Sequence, residues 1–289
     1  MRKRRVSIFP IVNTLILVCI SFATLYPFWY VIVASFTSDD FSSFRIFYLY
    51  PVKPTFAAYQ LVFSTNRILN AYGNTLFVTI IGTVSSLLIT ALTAYPLSRK
   101  RLRGGRFLTF MFYFTMLFSG GLVPTFLVVR GLGLYNTLWA LIWPKVVIVY
   151  NLLLMIAFFK SLPDSIEESA ALDGANDVVI LAVIIFPISH PIFATMTLFY
   201  AVNYWNSWFD ALIYLARPAL FPLQLVLREI IQIADMTHAG GAGDLTMTDM
   251  TVQSVRMATI VVSIVPIMCV YPFLQKYFVK GVMIGAIKS

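Results

Sequence analysis

The stretch Ser161-Leu-Pro-Asp-Ser-Ile-Glu-Glu-Ser-Ala-Ala-Leu-Asp-Gly-Ala-Asn-Asp177 gathers the residues whose types and spacing most invite chemistry, and that chemistry is recognition. Pro163 stops the helix before it. Ser165 and Glu168 have the S-x-x-E spacing of a capping box, which predicts a helix starting at that serine. Glu167 and Glu168 then fall in the first turn, where the helix dipole favours negative charge. Ser169, Ala170 and Ala171 form a small face that another protein surface can approach closely. Gly174 can take the left-handed conformation that ends a helix. Asn176 or Asp177 can cap the next one. An amphipathic connector without any partner would carry the same local signals.

Phosphate chemistry has no seat here. The sequence has no G-x-x-x-x-G-K-[ST] loop, and Gly240-Gly-Ala-Gly243 lacks the Lys-Ser/Thr that would follow. If ATP drives this protein, another chain must burn it. Cys19 and Cys269 lie in apolar runs and imply neither a disulfide framework nor a metal site. No cofactor or metal is expected on this chain.

These residues must be positioned by elements made for lipid. The chain has 289 residues, 60% apolar and 11% charged, where a soluble domain carries about a quarter charged. So much apolar surface cannot be buried in one soluble core, so lipid must cover much of it. Six apolar segments of spanning length follow: 11–36, 70–97, 107–129, 138–160, 179–203 and 251–274. The first resembles a signal peptide, because Arg2, Lys3, Arg4 and Arg5 precede it. It also contains Tyr26, Pro27, Trp29 and Tyr30 and has no clear cleavage site, so it reads as a retained span. Thirteen of the 21 basic residues fall at the N-terminus, in the second connection (Arg99, Lys100, Arg101, Arg103, Arg106), at Lys160 and in the tail. That face is therefore cytoplasmic, with both termini on it. The net charge of +9 is a topology signal, and no nucleic acid is expected as partner. Prolines at 27, 124, 144, 187, 191, 266 and 272 predict kinked spans, as suits a chain that lines a cavity and moves, although proline is common in membrane helices generally.

Polar residues within spans are expensive and face a cavity or a partner. Asn151, His190 and Asn203 qualify, followed by Tyr204, Trp205, Asn206 and Trp208, whose rings can stack and whose amides can hydrogen-bond a polar ligand. Interhelical bonding and interface anchoring account for such residues equally well. Lys145, directly after Pro144 in the fourth span, either snorkels or faces the cavity, where it would attract a carboxylate. The long outer region 204–250 is broken at Pro218 and Pro222, reads as an apolar helix over 223–234, and is expected to dock an external protein.

Glu168-Ser-Ala-Ala-Leu-Asp-Gly-Ala175, with Ile184, Ile185 and Pro187 after it, resembles the EAA loop of ABC importer permeases. Ser169 replaces the usual first alanine, a small-for-small change. The whole chain is similar to the smaller permease of maltose-type carbohydrate importers. Phe118-Ser-Gly-Gly-Leu-Val-Pro-Thr125 and the tail Gln275–Lys288 are similar to the branch linked to polysaccharide and alginate-type fragments. The resemblance implies an all-α, six-span type I importer permease in a bacterial cytoplasmic membrane, a transport subunit and not an enzyme. It implies a second six-span permease, two cytoplasmic ATPases that bind ATP and Mg, and an extracytoplasmic solute-binding protein. By resemblance, the loop 161–178 couples to the ATPase. Glu168 makes the contact with Ser169, Ala170, Ala171 and Ala175 around it, Asp173 holds the shape and Gly174 sets the bend. The tail 275–289, with Lys280, Gly281 and Gly285, is a second coupling element. A peptide or amino-acid permease would also carry an EAA-type loop. An ion-coupled secondary transporter would carry acids within its spans, and none lies in the middle of these six.

Overall fold

The computed structural model describes residues 8–37, 49–51, 53–64, 66–239 and 253–269, which are helical apart from turns and one isolated bridge between Thr37 and Pro54. The principal helices are α1 (Ile8–Ser35), α2 (Ala57–Ser64), α3 (Asn66–Ser98), α4 (Gly105–Leu117), α5 (Leu122–Gly131), α6 (Val149–Lys160) and α7 (Asp164–Leu172). They continue with α8 (Asp177–Ile188), α9 (His190–Trp205), α10 (Trp208–Tyr214), α11 (Leu223–Ala239) and α12 (Gln253–Cys269). The all-α reading of the sequence holds. The chain divides into two compact units, Met1–Asn66 with Leu227–Val265 and Arg67–Val226 with Pro266–Ser289.

In the first unit the end of α1 is held by the chain that follows it. Ser35 Oγ and the Tyr59 hydroxyl are 2.7 Å apart, the Phe36 and Tyr59 rings stand at 4.9 Å, and the Thr55 N–H donates to the Phe36 carbonyl at 2.8 Å.

Only two helices, Val12–Ser35 within α1 and all of α3, are individually long and apolar enough to cross a membrane among the described residues. α12 is apolar but shorter. The other three expected spans are not single rods. Segment 107–129 turns through 116° between α4 and α5. Its cause is Ser119-Gly-Gly: Gly121 has φ 85° and ψ 177°, a conformation essentially closed to residues with a Cβ. Segment 138–160 begins as two 3-10 turns, Leu138–Leu141 and Trp143–Lys145, and bends by 47° into α6. Pro144 has no N–H to continue a helix there. Segment 179–203 widens into a π-helical stretch at Ile180–Ile185 and breaks by 86° at Ser189, between Pro187 and Pro191.

A broken helix at membrane depth leaves backbone groups that lipid cannot satisfy. In the second unit two tyrosines of α9 supply the partners. The Tyr204 hydroxyl donates to the Ile142 carbonyl at 3.3 Å and lies 2.8 Å from Ser86 Oγ on α3. The Tyr200 hydroxyl accepts from the Ile148 N–H at 3.4 Å and lies 2.7 Å from Thr90 Oγ1. Both tyrosines are buried within the apolar core of this unit, with Leu141, Ile142, Leu152, Met155, Phe159 and Met196. Tyr204→Phe is therefore expected to destabilise the permease by about 1–2 kcal/mol, by taking the hydroxyl partner from the buried Ser86 Oγ and leaving the Ile142 carbonyl with the Lys145 N–H as its other bond, to be read as a lower midpoint of thermal unfolding in detergent.

The connection after α9 is pinned by side chains. Asn74 Nδ2 donates to the carbonyls of Ala219 (2.8 Å) and Phe221 (3.2 Å), and Thr75 Oγ1 accepts from the Leu223 N–H at 2.8 Å. Asn136, at φ 60°, accepts from the N–H groups of Ala216 and Arg217, both at 3.0 Å. The apolar helix expected at 223–234 is present as α11 and runs to Ala239.

Candidate functional site

α7 begins at Asp164, one residue before the expected start, with Pro163 at the cap position and no side-chain cap. The expected Ser165–Glu168 capping box does not form. Proline fixes the entry and needs no capped N–H of its own, which places Ser165 inside the helix, where its carbonyl accepts from Ser169 Oγ at 2.9 Å. Asp164 and Glu167 occupy the first turn, where the dipole favours them.

The C-terminal end follows the expected chemistry. Gly174 has φ +83°, the Ala175 N–H reaches back to the Ala170 carbonyl at 3.0 Å, and the Gly174 N–H bonds the Ala171 carbonyl at 3.1 Å. These two bonds make a Schellman closure, for which glycine is the favoured residue. Asn176, of the two candidate caps, then accepts from the Val179 N–H at 2.9 Å and starts α8.

α7 has two unlike faces. Inward, Ala170 is buried in the core of its unit, and the Glu167 carboxylate forms an ion pair with Arg99, their side chains 13% and 7% exposed. Arg99 follows the last residue of α3. Its guanidinium also stands 5.0 Å over the Tyr95 ring and donates to the Phe159 carbonyl near the end of α6 at 3.3 Å. Outward, Glu168, Ser169, Ala171 and Asp173 are exposed, and Leu172 is 89% exposed. Two further ion pairs, Lys100–Asp164 at 4.0 Å and Arg101–Asp177, are solvent-facing and contribute little. An open groove of about 900 Å³ runs beside α7, lined by Arg99, Lys100, Arg106, Lys160, Glu167 and Glu168 among others.

The candidates for the substrate path are dispersed. Tyr204 is buried with its hydroxyl engaged, and Asn151 and Trp205 are buried, at 3% and 5% exposure. Asn203 and Asn206 are exposed, the latter bonding the Val202 carbonyl at 2.9 Å, and Trp208 is half-buried. His190 is exposed at the start of α9, with Nδ1 against the Pro187 carbonyl. Lys145 is not a free cation. It forms an ion pair with Asp210 in the first turn of α10, both partly buried. Burial pushes the nearby Tyr214 phenol above its ordinary value, and the Asp210 carboxylate adds to this. Asp210→Asn is expected to cost about 1–2 kcal/mol by leaving Lys145 half-desolvated without a counter-charge. Replacing both, Lys145→Met with Asp210→Leu, should cost less than Asp210→Asn alone, as compared by thermal unfolding. The tail candidates Lys280, Gly281 and Gly285 lie outside the described residues.

Two features of the site were not singled out from the sequence. The Arg99–Glu167 pair left no local signal, since its partners lie on separate elements. Leu172 carries a local signal, a large apolar residue at the end of a short helix with an acidic first turn, but its exposure depends on which face of α7 the core takes up.

No family model matches the chain. It is 41% identical over 284 residues to protein LplC of Bacillus subtilis (strain 168), across 98% of this chain and 95% of that one. The polygalacturonan/rhamnogalacturonan transport system permease protein YtcP of the same strain is 42% identical over 268 residues, across 91% of this chain and 92% of its own length. A solved chain of a bacterial ABC transporter involved in the import of the acidic polysaccharide alginate matches with a TM-score of 0.87 and 36% identity, across 96% of this chain and 99% of that one. This protein therefore belongs to the permease subunits of ABC transporters, among those of carbohydrate importers.

Proposed function

We propose that the chain is one of two six-span permeases that together line the pathway of an ATP-driven importer of acidic oligosaccharides. It sits in the cytoplasmic membrane of a bacterium with both termini inside. Two cytoplasmic ATPases, which hold the ATP and Mg, and an external solute-binding protein complete the machine. Six spans are supported by two single helices, three bent pairs that are apolar enough together, and α12 as the sixth. Bent spans suit a pathway subunit, because irregular backbone at membrane depth is tolerated where protein or a cavity surrounds it. The acidic substrate is suggested by the relatives, whose names refer to polygalacturonan and alginate.

One observation carries the coupling role. α7 is anchored by its inner face and presents Glu168, Ser169, Ala171 and Leu172 to solvent. An 89%-exposed leucine beside small residues is a knob for a partner's pocket. Asp173 and Gly174 shape the end of that helix, and Ala175 closes it.

The test is assembly. With a tag on this chain and co-expression of its genomic neighbours, a second permease and an ATPase should co-purify. ATP hydrolysis should rise when the binding protein arrives loaded with an acidic oligosaccharide. Recovery of the tagged chain alone, or stimulation by peptides and not by sugars, would overturn the proposal.

A further inference from the structure

We infer that Arg99 is the joint through which movement of the α7 helix reaches the membrane helices. The inference rests on the coupling role proposed for α7 and adds the route by which that role is executed inside this chain.

Three contacts of one guanidinium define the joint. It pairs with Glu167 on α7, donates to the Phe159 carbonyl on α6 at 3.3 Å, and covers the Tyr95 ring on α3 at 5.0 Å. Arg is suited to this because its planar fork serves several acceptors at once and stacks on a ring; lysine offers a point charge on a flexible stem. With the side chains 7% and 13% exposed, water screens the pair little and cannot readily replace either partner.

The alternatives for transmitting force are weaker. α7 is joined to α6 by the short non-helical turn Ser161-Leu-Pro163 and to α8 through Gly174, so at neither end does a continuous helix carry α7 into its neighbour. Lys100–Asp164 and Arg101–Asp177 are exposed and easily replaced by water. The other inward contacts of α7, the buried Ala170, the half-buried Ile166 and the packing against α8, are apolar and non-directional. A push on the outer face of α7 therefore leaves through Glu167 and Arg99, and enters the ends of α3 and α6 together. Arg99 and Glu167 are positioning residues in this scheme, since they act through the ends of α3, α6 and α7 and not on substrate.

The test uses the whole importer in proteoliposomes, reading sugar imported per ATP hydrolysed. Arg99→Gln and Glu167→Gln should each lower that ratio about tenfold while ATP hydrolysis persists. The double variant should be no worse than either single one, because both remove the same link. Losses that multiply to about a hundredfold, or single variants with an unchanged ratio, would overturn the joint. A general folding defect would lower hydrolysis and import alike and leave the ratio intact, which also overturns it. Cross-linking from a cysteine at Leu172 separates the two claims. If Leu172→Cys reaches the ATPase in the otherwise wild-type complex, the coupling role of α7 stands and the ratio alone judges the joint. If it does not, the coupling role itself fails, and the joint with it.

Discussion

Leu172→Glu is expected to leave the permease folded while reducing oligosaccharide uptake by about a hundredfold. Leu172 is 89% exposed, so its replacement removes almost no packing within the chain. Exposed substitutions of this kind change stability by about 0.5 kcal/mol or less. The effect falls on the partner instead. An apolar knob seated in a pocket is worth about 2–4 kcal/mol when it is a binding hot spot, and a carboxylate placed there is desolvated without a counter-ion. Uptake and ATPase co-purification should fall together, while the unfolding midpoint of the isolated permease stays put. Ala170→Glu, two residues away, should do the reverse: Ala170 is buried in the core of its unit, so the charge should block folding before any partner is met. If Leu172→Glu transports as well as the parent, the outer face of α7 is not a contact surface.

Gly82→Val is expected to abolish the folded permease. A Cβ built at Gly82 would stand 2.8 Å from the ring of Tyr204, closer than carbon atoms pack. The ring cannot simply swing away, since its hydroxyl is held by the Ile142 carbonyl and by Ser86. Nor can the backbone yield, because Gly82 lies within the long helix α3. Overpacking costs about 1–3 kcal/mol and loss of the two hydroxyl bonds adds about 1–2 kcal/mol. The expected readout is loss of monodisperse protein after detergent extraction, with Gly82→Ala intermediate. Should Gly82→Val melt within about 2 °C of the parent, less than 1 kcal/mol would have been lost and the packing account would be wrong.

What the sequence made legible was what single residues or summed apolarity determine. Gly174 was legible because a helix stop needs a left-handed residue, and α7 was legible from its proline and acids. The all-α class followed from apolar segments of spanning length. The turn of 116° at Gly121 was not legible, because hydropathy is a sum and has no direction. The cues were there in Ser119-Gly-Gly, Pro144 and Pro187 with Pro191, but proline reads as a kink without saying how large. The polar candidates divide for a similar reason. Tyr204 was noticed for being polar, yet which group it serves depends on a break in another segment. Lys145 and Asp210 each stood out, and their pairing depends on how the turn after Pro144 and the start of α10 are brought together.

α4 closes with a practical consequence. Its thirteen residues, largely phenylalanine, methionine, leucine and tyrosine, include not one that is buried. Beyond Phe112, which packs partly against the core of its own unit, its sequence answers to neighbours that this polypeptide does not encode, whether lipid tails or a companion subunit. Apart from those at Phe112, apolar exchanges along α4 should pass unseen in assays of the purified chain and register when the full machine is assembled. A mutational survey done on the lone subunit would thus score this helix as tolerant for want of the molecules that constrain it.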